Sequence, residues 1–356
     1  MKNFWSKLSA TGGLKKKPIL ALAPMAGVTD SAFRQICRKY GADVVYTEMV
    51  SADGLHYDSK KTLEFLKFSK DERPIVIQLF GKHPEKFTKA AQLAEKAGFD
   101  GIDINFGCPA KKVAGHGGGV TLMRDLEKCR EIVEAVLSGT KLPVSVKIRS
   151  SINVIASEPS RAKRGNPPGS PRSADYILPR DDNYKKDNKI ITALDFVRKM
   201  KGLNISAIMI HGRPYENPFN AEIDYEMIKK IKKEFPGIVL GNGGINVPMD
   251  AKIMWEKTGV DGFGIARGVY GKPWIFKQIK DYLKMGKYQK FDKTKIKKVI
   301  IQHAEAAFKS KDTHGIIELR KHLLWYVKGW ENAKELRSQL VAVESLKDIK
   351  NVCKNI

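Results

Sequence analysis

The sequence predicts an α/β fold: a closed (β/α)8 TIM barrel followed by a small C-terminal helical domain. Three observations predict it. Eight short, nearly continuous apolar runs recur between residues 19 and 268. Amphipathic segments such as PEKFTKAAQLAEKAG and YEMIKKIKKEFPG separate most of them. Beyond residue 286 such runs stop, and apolar residues fall at three- and four-residue spacing instead. Strands apolar on both faces belong to a parallel sheet covered on its outside. Eight such units in about 250 residues fit a closed barrel better than an open doubly wound sheet. The first run ends in APMAGVTD and lacks the GxGxxG turn of an open dinucleotide-binding sheet.

In chain order the expected strands are ILALAPMAG (19–27), DVVYTEM (43–49), PIVIQLFG (74–81) and GIDINFGCP (101–109). PVSVKIRS (143–150), AIMIHGR (207–213), IVLGNGG (238–244) and GFGIARG (262–268) follow. Residues 151–191, rich in Pro, Ser, Gly and charge, read as a long insertion after the fifth strand. A loop of that length and composition is expected to be disordered. TKIKKVIIQHAEAAFKS, GIIELRKHLLWYVKGW and KELRSQLVAVESLKDIK are the expected tail helices. The chain thus divides into a barrel, 1–285, and a basic helical domain, 286–356.

Charge narrows the partners. Sixty-four Lys and Arg against 39 Asp and Glu leave a net charge of +25. The tail alone holds sixteen basic against eight acidic residues. Such an excess favours a nucleic acid, whose condensed counterions basic side chains release; a surface charged only for solubility is the alternative. No run approaches the roughly 20 apolar residues of a membrane span. The N-terminus lacks the apolar core of an export signal. Cys37, Cys108, Cys129 and Cys353 show neither CxxC nor zinc spacing, so free thiols in a reducing cytoplasm and no metal site are expected.

The polar residues gather at strand ends, where barrel active sites lie. Gln78 closes the third strand; Asn105 and Cys108 follow the fourth; Lys147 and Arg149 close the fifth. His211 and Arg213 end the sixth, Asn242 the seventh and Arg267 the eighth. One such residue is ordinarily structural, but six consecutive polar strand ends describe a site with a positive tilt. GNGGI and GIARG place glycines where backbone N–H groups can converge on a phosphate, with Arg267 adding a bidentate charge. Two tight turns without a ligand are the alternative. Lys147 is a poor core residue unless it meets an anion or an electron-rich ring. Flavin mononucleotide (FMN) meets both demands.

APMAGVTDSAFR, QLFG, INFGCPAKKV, VKIR, HGR, GNGGI and ARGVYGKPWIF stand in the order and spacing of the tRNA-dihydrouridine synthase family, which the chain resembles over residues 18–345 apart from the insertion. The tail, with LRKHLLWYVKGW, resembles the family's bacterial B-type branch. The resemblance implies an FMN-dependent, NADPH-driven reduction of the uracil C5–C6 double bond in tRNA by a cytoplasmic monomer. Hydride would pass from flavin N5 to C6. By matching motifs, Pro24, Met25 and Ala26 would line the flavin, Gln78 and Lys147 bond its ring, and His211 sit beside it. Asn242, Gly243, Gly244, Ala266 and Arg267 would hold the phosphate, Asn105 and Arg149 would contact the uracil or nearby RNA, and Cys108 would protonate C5. An ordinary thiol, with a pKa of about 8.5, is mostly protonated at neutral pH yet gives up its proton readily. The target base must leave its stack to reach such a pocket. Two departures touch RNA entry. HGR continues as PYENPF rather than with the family's Thr and Gln, and the insertion replaces a short Gly-Trp-Asp segment.

Two other functions fit parts of this pattern. An FMN barrel acting on a free pyrimidine, such as a dihydroorotate oxidase, also carries an Asn-x-x-Cys-Pro turn, but needs neither the charge nor the tail. A non-catalytic tRNA-binding flavoprotein would not need Cys108.

Overall fold

The computed structural model describes residues 3–10, 17–110, 113, 118–154 and 189–355. Eight parallel strands close a barrel: β1 (Ile19–Leu22), β2 (Val44–Ser51), β3 (Ile75–Phe80), β4 (Gly101–Phe106), β5 (Val144–Arg149), β6 (Ile205–His211), β7 (Ile238–Asn242) and β8 (Gly262–Ile265). Each strand pairs with its neighbours in sequence, and β8 closes on β1 through Ile19–Gly262 to Leu22–Ile265. The observed strands stop short of several expected runs. APMAG, GCP and ARG leave the barrel as loops, because proline removes a ladder donor and the glycines turn the chain.

Strand alternation builds two cores. Ile102, Ile104, Phe106, Val146, Ile148, Ile208 and Ile210 face outward into the main apolar cluster beneath the helices. Ala21, Tyr46, Val76, Ala207, Met209 and Leu240 face inward and fill the barrel. Both faces are therefore apolar, which accounts for the near-continuous runs in the sequence.

The outer helices have explicit start signals. Asp30 caps Ser31–Lys39 through Phe33 N, Asp125 caps Leu126–Gly139 through Lys128 N, and Asp224 caps Tyr225–Glu234 through Met227 N. Pro84 and Pro248 open Pro84–Lys96 and Pro248–Thr258, where a missing N–H costs nothing.

The insertion needs a correction. Its two ends are not disordered: Ser151–Val154 and Lys189–Thr192 pair antiparallel as a two-stranded sheet. Thr192 then caps Ala193–Lys199 in a reciprocal box with Asp195. Residues 155–188, and the disorder expected of them, lie outside the described residues.

The tail folds as Lys293–Tyr326, Ala333–Ala342 and Leu346–Lys354. The first is broken at Lys311 and Asp312, whose backbone angles are not helical. Val299, Ile300, Leu319, Leu323 and Leu340 form a second core that also takes in Ala32, Ile36 and Trp274 from the barrel side. Tyr270 stacks on Trp325 at 4.0 Å, and Gly271 lies against the Trp325 backbone. Among the described residues no helix is long and apolar enough to cross a membrane.

Candidate active site at the barrel mouth

Inward-facing parity gathers the polar strand residues. Gln78, Asp103, Asn105, Ser145, Lys147, Arg149, His211 and Asn242 all alternate with outward apolar neighbours. Register aligns them in tiers: Gln78 pairs with Asp103 and Asp103 with Ser145; Asn105 pairs with Lys147; Arg149 pairs with His211 and His211 with Asn242. The later members of each strand stand nearest the C-terminal mouth.

At the β3–β4 corner, hydrogen bonds run continuously. Asp103 is fully buried; its carboxylate accepts from Ser145 Oγ at 2.7 Å and from Gln78 Nε2 at 2.6 Å. Gln78 Oε1 accepts from Asn105 Nδ2 at 2.9 Å. Asn105 Oδ1 in turn accepts from Gly107 N at 3.0 Å and Cys108 N at 2.9 Å. Arg149 Nε donates to Gly107 O at 2.9 Å, so the turn bearing Cys108 is held from both sides. Of the four cysteines, Cys37, Cys129 and Cys353 are buried and Cys108 alone is partly exposed. Burial pushes the Cys37 and Cys129 thiols well up.

The β5–β8 side is cationic. The Lys147 ammonium makes no hydrogen bond or ion pair with any described residue, and burial, with Arg149 beside it, brings it down to about 8. His211 is pushed down to about 2 by burial, then by Lys147, Arg149, Arg213 and Arg267, and is neutral at physiological pH. Arg149, lowered to about 10 mainly by burial, stays charged. Four cations around one neutral imidazole make a site for an anion.

The glycine loops stand beside this group. Gly243 and Gly244 have φ of +103° and +74°, which favours glycine, and a Cβ on Gly243 would lie 2.5 Å from His211 Cδ2. Asn242 Nδ2 anchors β7 to Gly264 O at 2.6 Å. The N–H groups of Gly243, Gly244, Arg267 and Gly268 bond no other described residue. Arg267 is exposed, its guanidinium 5.2 Å above the Phe219 ring. Ala266 is half-buried at the start of this turn.

The adjoining rim, at the end of β1, carries Pro24 and Met25, half-buried, and Ala26, exposed. Thr29 Oγ1 bonds both Met25 N and Met25 O at 3.2 Å, fixing that loop. Gly27 N donates to Glu48, whose carboxyl burial pushes up while Lys311 and Lys321 of the tail pull it down. The kinked tail helix thus brings basic side chains to this rim.

The structure therefore brings the expected residues to one mouth, with two placements the sequence did not supply. Gln78 is fully buried and both ends of its carboxamide are engaged by protein groups, leaving one N–H and one lone pair for a ligand. Arg149 is also buried, with one terminal nitrogen bonded to Arg213 O and Pro214 O. Asp103 and Glu48 were missed. Asp103 stands two residues before Asn105, and that inward parity was the available signal. Among the described residues no cluster of His, Cys, Asp or Glu could hold a metal.

Comparison with known proteins agrees with the motifs. The Dihydrouridine synthase (Dus) family model matches residues 21–161 and 183–356. The chain is 33% identical over 340 residues to tRNA-dihydrouridine synthase B of Pseudomonas putida, covering 95% of this chain and 90% of that one. It is 31% identical over 329 residues to a probable tRNA-dihydrouridine synthase of Rickettsia conorii, covering 92% and 89%. Among solved structures, histamine dehydrogenase from Rhizobium sp. 4-9 superposes with a TM-score of 0.51 at 12% identity, covering 81% of this chain and 49% of that one, a likeness of fold alone. On the matched motifs, the barrel that positions them and these relatives, the chain belongs to the dihydrouridine synthase family.

Proposed function

We propose that the chain is a tRNA-dihydrouridine synthase that uses FMN and NADPH to reduce the C5–C6 bond of uridines in tRNA. The observation that carries this is the pairing of a single accessible, doubly braced cysteine with a cationic mouth whose backbone donors lack partners. Those features fit FMN. The unpaired N–H groups of Gly243, Gly244, Arg267 and Gly268, with the Arg267 guanidinium, supply what a phosphate accepts. Lys147, without a partner, would donate to the electron-rich ring, as would the remaining N–H of Gln78. His211, neutral, would lie beside the ring, with Asn242 and Ala266 shaping the phosphate end and Pro24, Met25 and Ala26 lining the flavin from the adjoining β1 rim. When bound and reduced by NADPH, the flavin supplies a hydride to uracil C6.

The chain's own residues do the rest. Cys108, held by Asn105 and Arg149, gives a proton to C5 as negative charge develops there. The cations around His211 would stabilise that charge. The barrel, 1–285, would carry the chemistry, and the basic tail, 286–356, would position the tRNA through its phosphates. The RNA reader would be a monomer in the cytoplasm.

Purified protein should be yellow, releasing about one FMN per chain on denaturation. After anaerobic reduction by NADPH, unmodified tRNA should restore the oxidised flavin spectrum, whereas free uridine and dihydroorotate should not. A colourless protein that takes up no FMN would remove the flavin, and restoration by dihydroorotate alone would point to a free-pyrimidine enzyme.

A further inference from the structure

Asp103 belongs to no motif role assigned above, yet it is the root of the hydrogen-bond chain that ends at Cys108. A carboxylate only accepts. Because Asp103 takes Gln78 Nε2, Gln78 has its oxygen left for Asn105 Nδ2. Asn105 then has its oxygen left for the N–H groups of Gly107 and Cys108. A carboxamide is nearly symmetric in shape and serves either way round when its partners allow. Here the acceptor-only carboxylate at the root and the donor-only N–H groups of the turn require the same direction. Ser145 Oγ, on the other oxygen of Asp103, keeps the carboxylate in place.

We propose that Asp103 is a positioning residue: its carboxylate fixes the direction of two successive carboxamides, Gln78 and Asn105, and so holds the Cys108 turn where it stands. The proposal rests on the functional reading above for what Cys108 is for, but not for how it is held.

Asp103→Asn keeps the shape and removes the direction, since the new side chain both donates and accepts. Gln78 then loses its fixed acceptor. Iodoacetamide alkylation of Cys108 in the purified full-length chain, followed at that residue by mass spectrometry, reads the loss. On the alkaline plateau, where thiolate formation is complete and nearby charge drops out, Asp103→Asn should react about fivefold faster, the factor for one ordinary hydrogen bond. Adding Gln78→Glu should bring the rate back towards wild type, because the carboxylate introduced at position 78 again accepts from both sides. An unchanged rate in Asp103→Asn, or no recovery in the double variant, would overturn the proposal.

If Asp103→Asn does not fold, the wild-type chain answers alone. Burial raises the Asp103 carboxyl to about 6; Lys147 on β5 and Tyr46 on β2 are the titratable groups facing it. The side-chain NH2 signals of Gln78 and Asn105 should shift together in NMR spectra as pH passes that value. Signals that move independently, or not at all, would break the chain. A protein that binds no FMN or leaves tRNA unreduced would overturn the functional reading and leave these measurements untouched.

Discussion

At the β3–β4 corner of the barrel mouth the polar side chains find one another, so that Ser145, Asp103, Gln78, Asn105 and the Cys108 turn form one closed chain of hydrogen bonds. On the β5–β8 side, Lys147, His211 and the glycine loops of β7 and β8 leave side-chain or backbone donors without a partner among the described residues. Both regions are built from the same inward strand positions. A buried polar group without a hydrogen-bond partner is costly, and a buried ammonium without one, as at Lys147, is more so. On the proposed function the difference separates scaffold from binding surface: the satisfied corner would hold Cys108 still, and the unsatisfied side would take the ligand.

The largest expected effect lies on the satisfied side. Cys108→Ala should retain flavin and its reduction by NADPH but slow flavin reoxidation by tRNA about 10²–10⁴-fold, the usual worth of a positioned acid. Single-turnover absorbance under anaerobic conditions measures it. Cys37→Ala, Cys129→Ala and Cys353→Ala should each reoxidise near the wild-type rate. A Cys108→Ala rate equal to theirs would assign the proton elsewhere.

Next come substitutions whose stability effects should have opposite signs. Lys147→Met should weaken FMN binding about 10–100-fold through a lost charge-assisted bond. The same change should raise the melting temperature of the flavin-free protein, because it removes an unpaired buried charge. Gln78→Leu should lower that temperature, leaving Asp103 and Asn105 unsatisfied at about 1–3 kcal/mol. Two shifts of the same sign would erase the distinction between the corners. Lys147 also sets a pH dependence. Its ammonium is the donor and titrates near 8, so FMN affinity should be full below that pH and fall above it, by at most about tenfold per unit. Affinity that stays level to pH 9.5 would mean the ligand does not rely on this charge.

The smallest effect tests the tail. Deleting it would bare Ala32, Ile36 and Trp274, so neutralising charge is the cleaner probe. Lys309→Gln and Lys328→Gln, both on exposed positions, should leave FMN binding intact. Each should reduce the slope of log tRNA affinity against log salt by about 0.7–0.9 if it meets a phosphate. Unaltered slopes would make these lysines a solvated surface.

The fold was legible because a barrel strand is apolar on both faces, and the candidate site because polar residues were sought at the C-terminal ends of such strands. That same rule hid Asp103. It stands mid-strand between Ile102 and Ile104, two residues before Asn105 on the same face, and the partners that satisfy it lie on other strands. Gln78 was visible as a polar strand end, but its engagement on both sides depends on register between β3 and β4. The arms of the insertion escaped notice because SINV and KIIT are four residues each and pair across a long stretch of polar chain. Contacts of the tail with the first barrel helix join positions some 270 residues apart, which periodicity does not report.

Gly271 carries a consequence for how such chains can be recombined. It follows the Arg267 turn with φ of +68°, and a Cβ there would stand 2.2 Å from Trp325 O. Beside it the Tyr270 and Trp325 rings lie 2° from parallel. The loop that supplies Arg267 is therefore moulded to one particular stretch of tail backbone. The tail of a relative cannot be grafted onto this barrel as an independent cassette unless its helix reproduces that contour. Barrel and tail form one unit of inheritance, and a productive crossover between two such genes has to carry both surfaces together, the first barrel helix with Ala32 and Ile36 included.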